Sequence, residues 1–385
     1  MIEPYIDRRS ERLPGSGSLS TLALLLAVAA LCILGLLMLY SVGRSHDGGS
    51  GSHVIRQSVW MVIAWSALLI TWRIPLEPLR RCAWGIGIVS LALLIVVLIP
   101  GIGVMVNGAR RWIDLGPVHM QVSDFAKIGM IFVLAHYLAA NQRNLKAFWC
   151  GYAVPCGMIG LVFILVLLQP DFGTALLCAL VGAAMLFLAG ARMAYLVPSA
   201  IAGVAFFATA VFHDPVRLRR ILVFLDAEGN RTEGAYQLWQ AMLAFGVGGW
   251  TGVGIGNGRQ QLAFLPEAHT DFIFPIVGEE LGLIFSALVV ILFLVIFTII
   301  VIRLRAAPNL FHFLLVFGAM LAVTLQALTN LGVATGLLPT KGLSLPFVSY
   351  GGSNLLATFI LLGLILNCFR QWERGGLNRA KEVAA

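Results

Sequence analysis

About ten apolar stretches, each close to twenty residues long, follow one another along this 385-residue chain. A helix of about 20 residues crosses the ~30 Å hydrocarbon core of a bilayer. Only 11% of the residues are charged, whereas soluble domains contain about 25%, so a soluble globule is excluded. The chain is therefore predicted to be an all-α, polytopic membrane protein with about ten transmembrane helices. The predicted spans are residues 19–42, 55–72, 83–104, 124–140, 148–168, 172–190, 193–211, 273–301, 309–336 and 349–369.

The distribution of Lys and Arg predicts the orientation of these spans. Fifteen of them fall on the side of the two termini, and five fall in the short loops of the other side. Cytoplasmic loops carry the excess of basic residues. The tails, residues 1–18 and 370–385, are therefore predicted to be cytoplasmic, and residues 19–369 to form the domain in the inner membrane. This bias and anionic membrane lipids account for the net charge of +8 without a nucleic-acid partner.

One long segment, residues 212–272, departs from a plain helix bundle. It lies between the seventh and eighth spans on the outer side, and it exceeds an ordinary connection in length, so a functional role is expected. Residues 236–245 have the apolar spacing of a helix that lies in the membrane interface. Residues 246–258 are rich in glycine but lack the spacing of a dinucleotide-binding loop.

Asp271 stands where this segment enters the eighth span, within LPEAHTDFIF. Ionisable groups at the bilayer edge are costly and indicate function, and a carboxylate placed there suits proton transfer. The alternative is that Asp271 caps the helix. His269 accompanies it, and Glu279 and Glu280, two turns further in, are interpreted as supporting partners of buried polar groups.

A second cluster surrounds the start of the fourth span. Asp124 and Lys127 are three residues apart, so they are predicted to share a helix face. A lysine inside a span requires a counter-charge or a substrate phosphate. Arg110 and Arg111 precede this span and can bind phosphate through charge-assisted hydrogen bonds. The alternative for these arginines is contact with lipid headgroups.

Two further stretches carry polar residues at the outer side. Asp171 lies in a tight turn, QPDFGTA, where a helix-capping role is favoured. Residues 336–354 contain two prolines and several glycines, and irregular backbone at membrane depth must be buried in protein or line a polar cavity. The side chains predicted to line that cavity are Lys341, Ser349, Tyr350 and Ser353. Histidines and cysteines show no ligand spacing, so no metal site is predicted.

The motifs in these clusters resemble those of the SEDS family (shape, elongation, division and sporulation), polytopic glycosyltransferases of bacterial cell-wall synthesis. The resemblance covers about residues 20–370 and rests on NGARRWIDLG, QPDFGTA, LPEAHTDFIF with GEELG, and LPTKGLSLPFVSYGGSN. The last motif resembles the division branch most closely, and the elongation branch is the alternative. The chain departs from the usual family wording at Asp124, Pro275 and Asn354.

The resemblance implies a function for each cluster. The activity would be polymerisation of lipid II at the outer face of the membrane, with inversion at the donor sugar and undecaprenyl pyrophosphate as the leaving group. Asp271 maps onto the family's proposed catalytic acid. No tightly bound cofactor is implied, although a divalent cation, Mg²⁺ or Mn²⁺, could accompany the pyrophosphate. The implied partners are a class B penicillin-binding transpeptidase and other divisome proteins. The residues assigned to substrate binding are Arg110, Arg111, Lys127, Lys341, Ser349, Tyr350 and Ser353.

A lipid II flippase is the main alternative from another functional class. A flippase should carry polar groups through the full depth of the membrane, because the headgroup has to cross it. Here the polar residues concentrate on the predicted outer side, which favours chemistry at the surface.

Overall fold

The structure is a computed structural model that describes residues 16–45, 51–106, 108–114, 116, 119–225, 229, 236–259, 269–340 and 342–384. Within these ranges, nine helices are long and apolar enough to span a membrane. The prediction of an all-α polytopic membrane protein is confirmed. The α-helices in chain order are α1 Ser16–Ser45, α2 Gly51–Arg73, α3 Leu76–Arg81, α4 Ala83–Val96, α5 Val122–Ala140, α6 Val154–Leu167, α7 Phe172–Ala189, α8 Met193–Phe212, α9 Pro215–Leu225, α10 Tyr236–Gly248, α11 Ile273–Leu304, α12 Leu310–Ala334 and α13 Gly352–Ala384.

The third predicted span, residues 83–104, is wrong in its length. Helix α4 has only 14 residues and ends at Val96. Pro100 cannot donate a helical hydrogen bond, and Gly101 has a positive φ of 95°, so the chain leaves the helix. A small antiparallel sheet that the sequence analysis did not predict follows. Its strands, in the order β1-β2-β3, are Gly103–Val106, Ala109–Asp114 and His119–Gln121.

The centre of the bundle is formed by α5, α12 and α13. In their most apolar windows 72%, 67% and 78% of the residues are buried, whereas α8 is only 6% buried and lies at the periphery. A helix that is apolar all round fits either place, because lipid and protein interior are both apolar.

Helix α11 is interrupted at Gly282, whose φ of 77° and ψ of −173° are not helical. The glycine-rich segment after α10 pairs with the chain on both sides of this break. The amides of Val253 and Gly254 donate to the carbonyls of Glu279 and Glu280, both at 3.0 Å. In return, the amides of residues 283 and 284 donate to the carbonyls of residues 249 and 250, at 2.9 and 3.3 Å. In a continuous helix these groups would pair with one another.

This pairing requires glycine because the two backbones touch. A Cβ atom at Gly282 would lie 2.4 Å from the Gly252 amide nitrogen, and one at Gly252 would lie 2.1 Å from the Glu280 carbonyl oxygen. A helix is present at residues 236–245, as predicted, in the form of α10. It packs against α11, where the rings of Phe245 and Phe274 are 5.4 Å apart.

Candidate active site

The site lies at one end of the bundle, where the N-terminal ends of α5, α7, α11 and α13 meet the C-terminal end of α12. At its centre, Asp124 and Lys127 share one face of α5, as their spacing predicts. The Lys127 Nζ lies 3.5 Å from the Asp124 Oδ1, and the two residues are only 2% and 6% exposed, Lys127 being the more buried. The Ser353 hydroxyl donates to the Asp124 Oδ2 at 3.4 Å. This buried pair joins α5 to the start of α13.

The side-chain amide of Gln326 connects Lys127 to the loop that precedes α13. The Lys127 Nζ donates to the Gln326 Oε1 at 3.0 Å. The Gln326 Nε2 in turn donates to the Ser344 carbonyl at 3.0 Å and to the Asn354 Oδ1 at 2.8 Å. Sequence analysis missed Gln326, because a single amide in an apolar helix has no local partner that would reveal its role. These residues border a cleft lined by Gln121, Asp124, Lys127, Thr174, Leu177, Gln326, Gly342, Leu343, Ser344 and Asn354.

Asp171 combines a capping role with a link to the small sheet. Its Oδ1 accepts from the Thr174 amide at 3.1 Å and caps α7, which confirms the predicted role. Its Oδ2 accepts from the side-chain Nε2 of Gln121 at 3.0 Å. The same oxygen lies 3.9 Å from a guanidinium nitrogen of Arg111. Arg110 and Arg111 both lie on β2 and are partly exposed, and Arg110 is paired with Met105 of β1. The sheet therefore holds Arg111 beside the cleft.

Asp271 lies two residues before the start of α11 and is partly exposed. The N-cap position of α11 is Phe272, whose side chain makes no capping hydrogen bond. The Asp271 carbonyl accepts from the Asn330 amide nitrogen at 2.9 Å. A Cβ atom built on Gly342 would lie 3.0 Å from the Asp271 Oδ2. The carboxylate therefore lies against the loop that lines the cleft.

Three rings group around His269, which lies two residues before Asp271 in the sequence. The rings of His269 and Tyr350 are 5.7 Å apart, and His53 of α2 lies 5.5 Å from the first and 5.3 Å from the second. The Tyr350 amide also donates to the His269 carbonyl at 2.9 Å. Ser349 is buried and its hydroxyl accepts from the Leu345 amide at 2.8 Å, so it stabilises the turn of its own loop. Sequence analysis missed His53.

Glu279 and Glu280 are fully buried in α11, close to the glycine-rich segment. The Arg259 amide donates to the Glu279 Oε1 at 2.7 Å, and the Ser41 hydroxyl donates to the Glu280 Oε1 at 2.6 Å. Both glutamates were predicted to be partners of buried polar groups. Their donors lie just after the glycine-rich segment and in α1. Lys341 lies outside the described residues. Among the residues that are described, no three His, Cys, Asp or Glu side chains group together as a metal site would require.

Comparisons with known proteins agree with this architecture. The family model described as cell cycle protein, covering FtsW, RodA and SpoVE, matches residues 22–373. The probable peptidoglycan glycosyltransferase FtsW of Saccharophagus degradans is 38% identical over 349 residues, which are 90% of each chain. That of Hahella chejuensis is 40% identical and aligns over 90% of this chain and 89% of its own.

Solved structures show the same fold. One is a chain of a peptidoglycan synthase complex, studied for the structural coordination of polymerization and crosslinking. It has a TM-score of 0.76 and 29% identity, and the match covers 91% of this chain and 97% of that one. The rod shape determining protein RodA of Thermus thermophilus has a TM-score of 0.68 at 29% identity, covering 90% of this chain and 95% of its own. The chain therefore belongs to the FtsW, RodA and SpoVE family of cell cycle proteins, the family that its sequence motifs resemble.

Proposed function

We propose that this protein is a peptidoglycan glycosyltransferase that polymerises lipid II into glycan strands. The observation that carries the proposal is the position of Asp271. Its carboxylate is partly exposed, and its Oδ2 lies against Gly342 of a cleft that also contains the buried ammonium of Lys127. A proton acceptor and a cation therefore border one cleft, and transfer of a sugar from a pyrophosphate requires both.

The reaction is a single displacement at the anomeric carbon of the donor sugar. Asp271 takes the proton from the acceptor hydroxyl while that oxygen forms a bond to the anomeric carbon. The bond between this carbon and the pyrophosphate oxygen breaks, and undecaprenyl pyrophosphate leaves with the bonding electrons. Attack opposite the leaving group inverts an α-linked donor into a β-linked glycan.

Cations beside the cleft would hold the pyrophosphate. Lys127 is oriented by Asp124 and Gln326, and its ammonium has three donor positions. Arg111 is fixed by Asp171 at the edge of the sheet, and Arg110 is its partly exposed neighbour. A guanidinium suits phosphate oxygens because its donors form a planar fork. A divalent cation that accompanies the pyrophosphate remains a prediction from the family resemblance.

The orientation follows from charge. The end of the bundle opposite the site carries Arg73, Arg80, Arg81, Arg303 and Arg370. Because basic residues concentrate on the cytoplasmic side, we place that end and both termini in the cytoplasm and the site at the outer face. Lipid II would then be used where the cell wall is assembled.

The comparisons support a role in division. Several of the similar curated proteins are named FtsW, which favours septal synthesis over the elongation role of a RodA-type polymerase. A similar solved chain belongs to a complex that coordinates polymerization with crosslinking. On this basis a class B penicillin-binding transpeptidase is the proposed partner, together with other divisome proteins.

Polymerisation of purified lipid II in detergent tests the proposal. Wild-type protein with its transpeptidase should make glycan polymer, whereas Asp271→Asn, which keeps size but loses the proton acceptor, should be slower by about 10²–10⁴-fold. Asp114→Asn is the matched control, because Asp114 is an exposed aspartate at the same end of the bundle, at the end of β2. That variant should polymerise at the wild-type rate.

The flippase alternative predicts a different result in the same assay. Detergent offers no membrane to cross, so a flippase would make no polymer in any variant. Polymer from wild type and polymerisation slower by at least about 10²-fold in a stably folded Asp271→Asn support the glycosyltransferase. Equal polymer from these two proteins excludes Asp271 as the base.

A further inference from the structure

Asn330 lies in apolar helix α12 and outside the sequence motifs, yet it makes two well-formed hydrogen bonds. It is 1% exposed. Its amide nitrogen donates to the carbonyls of Asp271 at 2.9 Å and Leu343 at 2.7 Å. Both neighbours are acceptors, so only the NH₂ end of the amide can face them. A buried amide is costly unless it is bonded. Here both hydrogens of Asn330 are used, whereas its buried Oδ1 accepts no hydrogen bond from the described residues.

The two carbonyls belong to segments that are 72 residues apart in the chain, at Asp271 and Leu343. One segment carries the proposed base, and the other lines the cleft. One turn earlier on α12, Gln326 accepts from Lys127 and donates to the Ser344 carbonyl. Residues four apart lie on the same helix face. A single face of α12 therefore fixes the base segment, the cleft loop and the buried cation relative to one another.

We infer that Asn330 is a positioning residue for the transfer reaction, and this inference rests on the proposed function of Asp271. By holding two carbonyls with one amide, Asn330 sets the distance between the Asp271 carboxylate and the Lys127 side of the cleft. Because Asn330 is buried, we expect it to act on the rate of the chemical step and not on substrate binding. A displacement of about 1 Å in reacting groups can reduce a rate by about 10²-fold.

Asn367 provides a matched control at the opposite end of the bundle. It is fully buried, and its amide nitrogen also donates to two carbonyls, those of Thr71 at 2.6 Å and Ile74 at 2.5 Å. Leucine at either position removes a buried amide that donates to two backbone carbonyls, but the carbonyls bound by Asn367 both lie at the end of α2, away from the site. The two variants should therefore lose similar thermal stability and differ only in catalysis.

The experiment is steady-state polymerisation of lipid II by the protein with its transpeptidase, with melting temperature measured in parallel. We expect Asn330→Leu to lower kcat by about 10- to 100-fold while KM changes by less than about threefold. Asn367→Leu should leave kcat within about twofold of wild type. If Asn330→Leu does not fold, Asn330→Ser serves, because one hydroxyl can donate to only one of the two carbonyls.

A double-mutant cycle separates action through Asp271 from a general effect. If Asn330 acts by placing the carboxylate, adding Asn330→Leu to Asp271→Asn should lower the residual rate by less than about threefold. Equal kcat losses in the Asn330 and Asn367 variants, or fully multiplicative effects in the cycle, would overturn the inference. Failure of the proposed function itself has a different signature, since Asp271→Asn alone would then match wild type.

Discussion

Replacing Gly282 by alanine should destabilise the protein, although alanine in place of a glycine inside a regular helix usually stabilises it. The added Cβ atom would lie 2.4 Å from the Gly252 amide nitrogen and 2.5 Å from the Trp250 carbonyl oxygen. An ordinary contact begins near 3.4 Å. The obstacles are backbone atoms, so no side-chain rotation relieves the clash, and the glycine-rich segment has to move away from α11.

The magnitude follows from two terms. A non-glycine residue held at a φ of 77° and ψ of −173° costs about 1–3 kcal/mol. Movement by about 1 Å should also break at least two of the four backbone hydrogen bonds across the break, each contributing about 0.5–1.5 kcal/mol. The free energy of unfolding should therefore fall by about 2–6 kcal/mol, which is a large part of the stability of most proteins.

The measurement is an unfolding titration with a denaturing detergent, followed by tryptophan fluorescence. Gly157→Ala in α6 is the matched control, because no atom of the described residues outside its own helix would lie within 4 Å of the added Cβ. Alanine in a helix interior is favoured over glycine by about 0.5–1 kcal/mol. Gly252→Ala should reproduce the loss, and the double variant should be less than additive because both residues form the same contact. A loss below about 1 kcal/mol for Gly282→Ala would refute the reasoning.

Two further predictions concern charge. Lys127→Met should abolish polymerisation and cost about 3–5 kcal/mol of stability, because Asp124 is left as a buried unpaired charge; adding Asp124→Asn should restore the stability but not the activity, and recovered activity would contradict a role in substrate binding. In a background without the native cysteines, a membrane-impermeant thiol reagent added from outside should label Asp114→Cys and leave Arg143→Cys unlabelled, and the reverse pattern would invert the proposed topology.

The spans could be predicted because length and apolar composition alone specify a membrane helix. The third span was predicted too long because residues 97–104 remain apolar after α4 ends at Val96. Hydropathy does not distinguish an apolar helix from an apolar turn and strand. Pro100 and Gly101 carried the local signal, but proline and glycine are also tolerated within membrane helices.

The charged residues of the site could be predicted from the sequence more readily than its side-chain amides. Asp124 and Lys127 could be paired because a spacing of three residues places them on one helix face. Gln326 and Asn330 have the same kind of spacing, but their partners lie in other segments, at Ser344 and Asp271. Spacing along the chain cannot reveal contacts made between distant segments.

The same limit applies to the glycine-rich segment. Its composition was evident, but its role depends on an interruption of α11 at Gly282. Glycine is also tolerated within continuous membrane helices, so it does not by itself indicate a break. The backbone hydrogen bonds between the segment and the interrupted helix become visible only in the three-dimensional structure. Neither could be interpreted from its own sequence.

The two irregular stretches of this fold have a common physical logic. Backbone groups released from helices within the membrane must be bonded inside the protein. At the break in α11, backbone atoms of the glycine-rich segment meet this need. In the loop before α13, the amide side chains of Gln326 and Asn330 meet it by binding the carbonyls of Ser344 and Leu343. Gln326 also bonds to Lys127, and Asn330 also bonds to the Asp271 carbonyl. The side chains that satisfy the backbone of the loop therefore also align the groups assigned to the reaction.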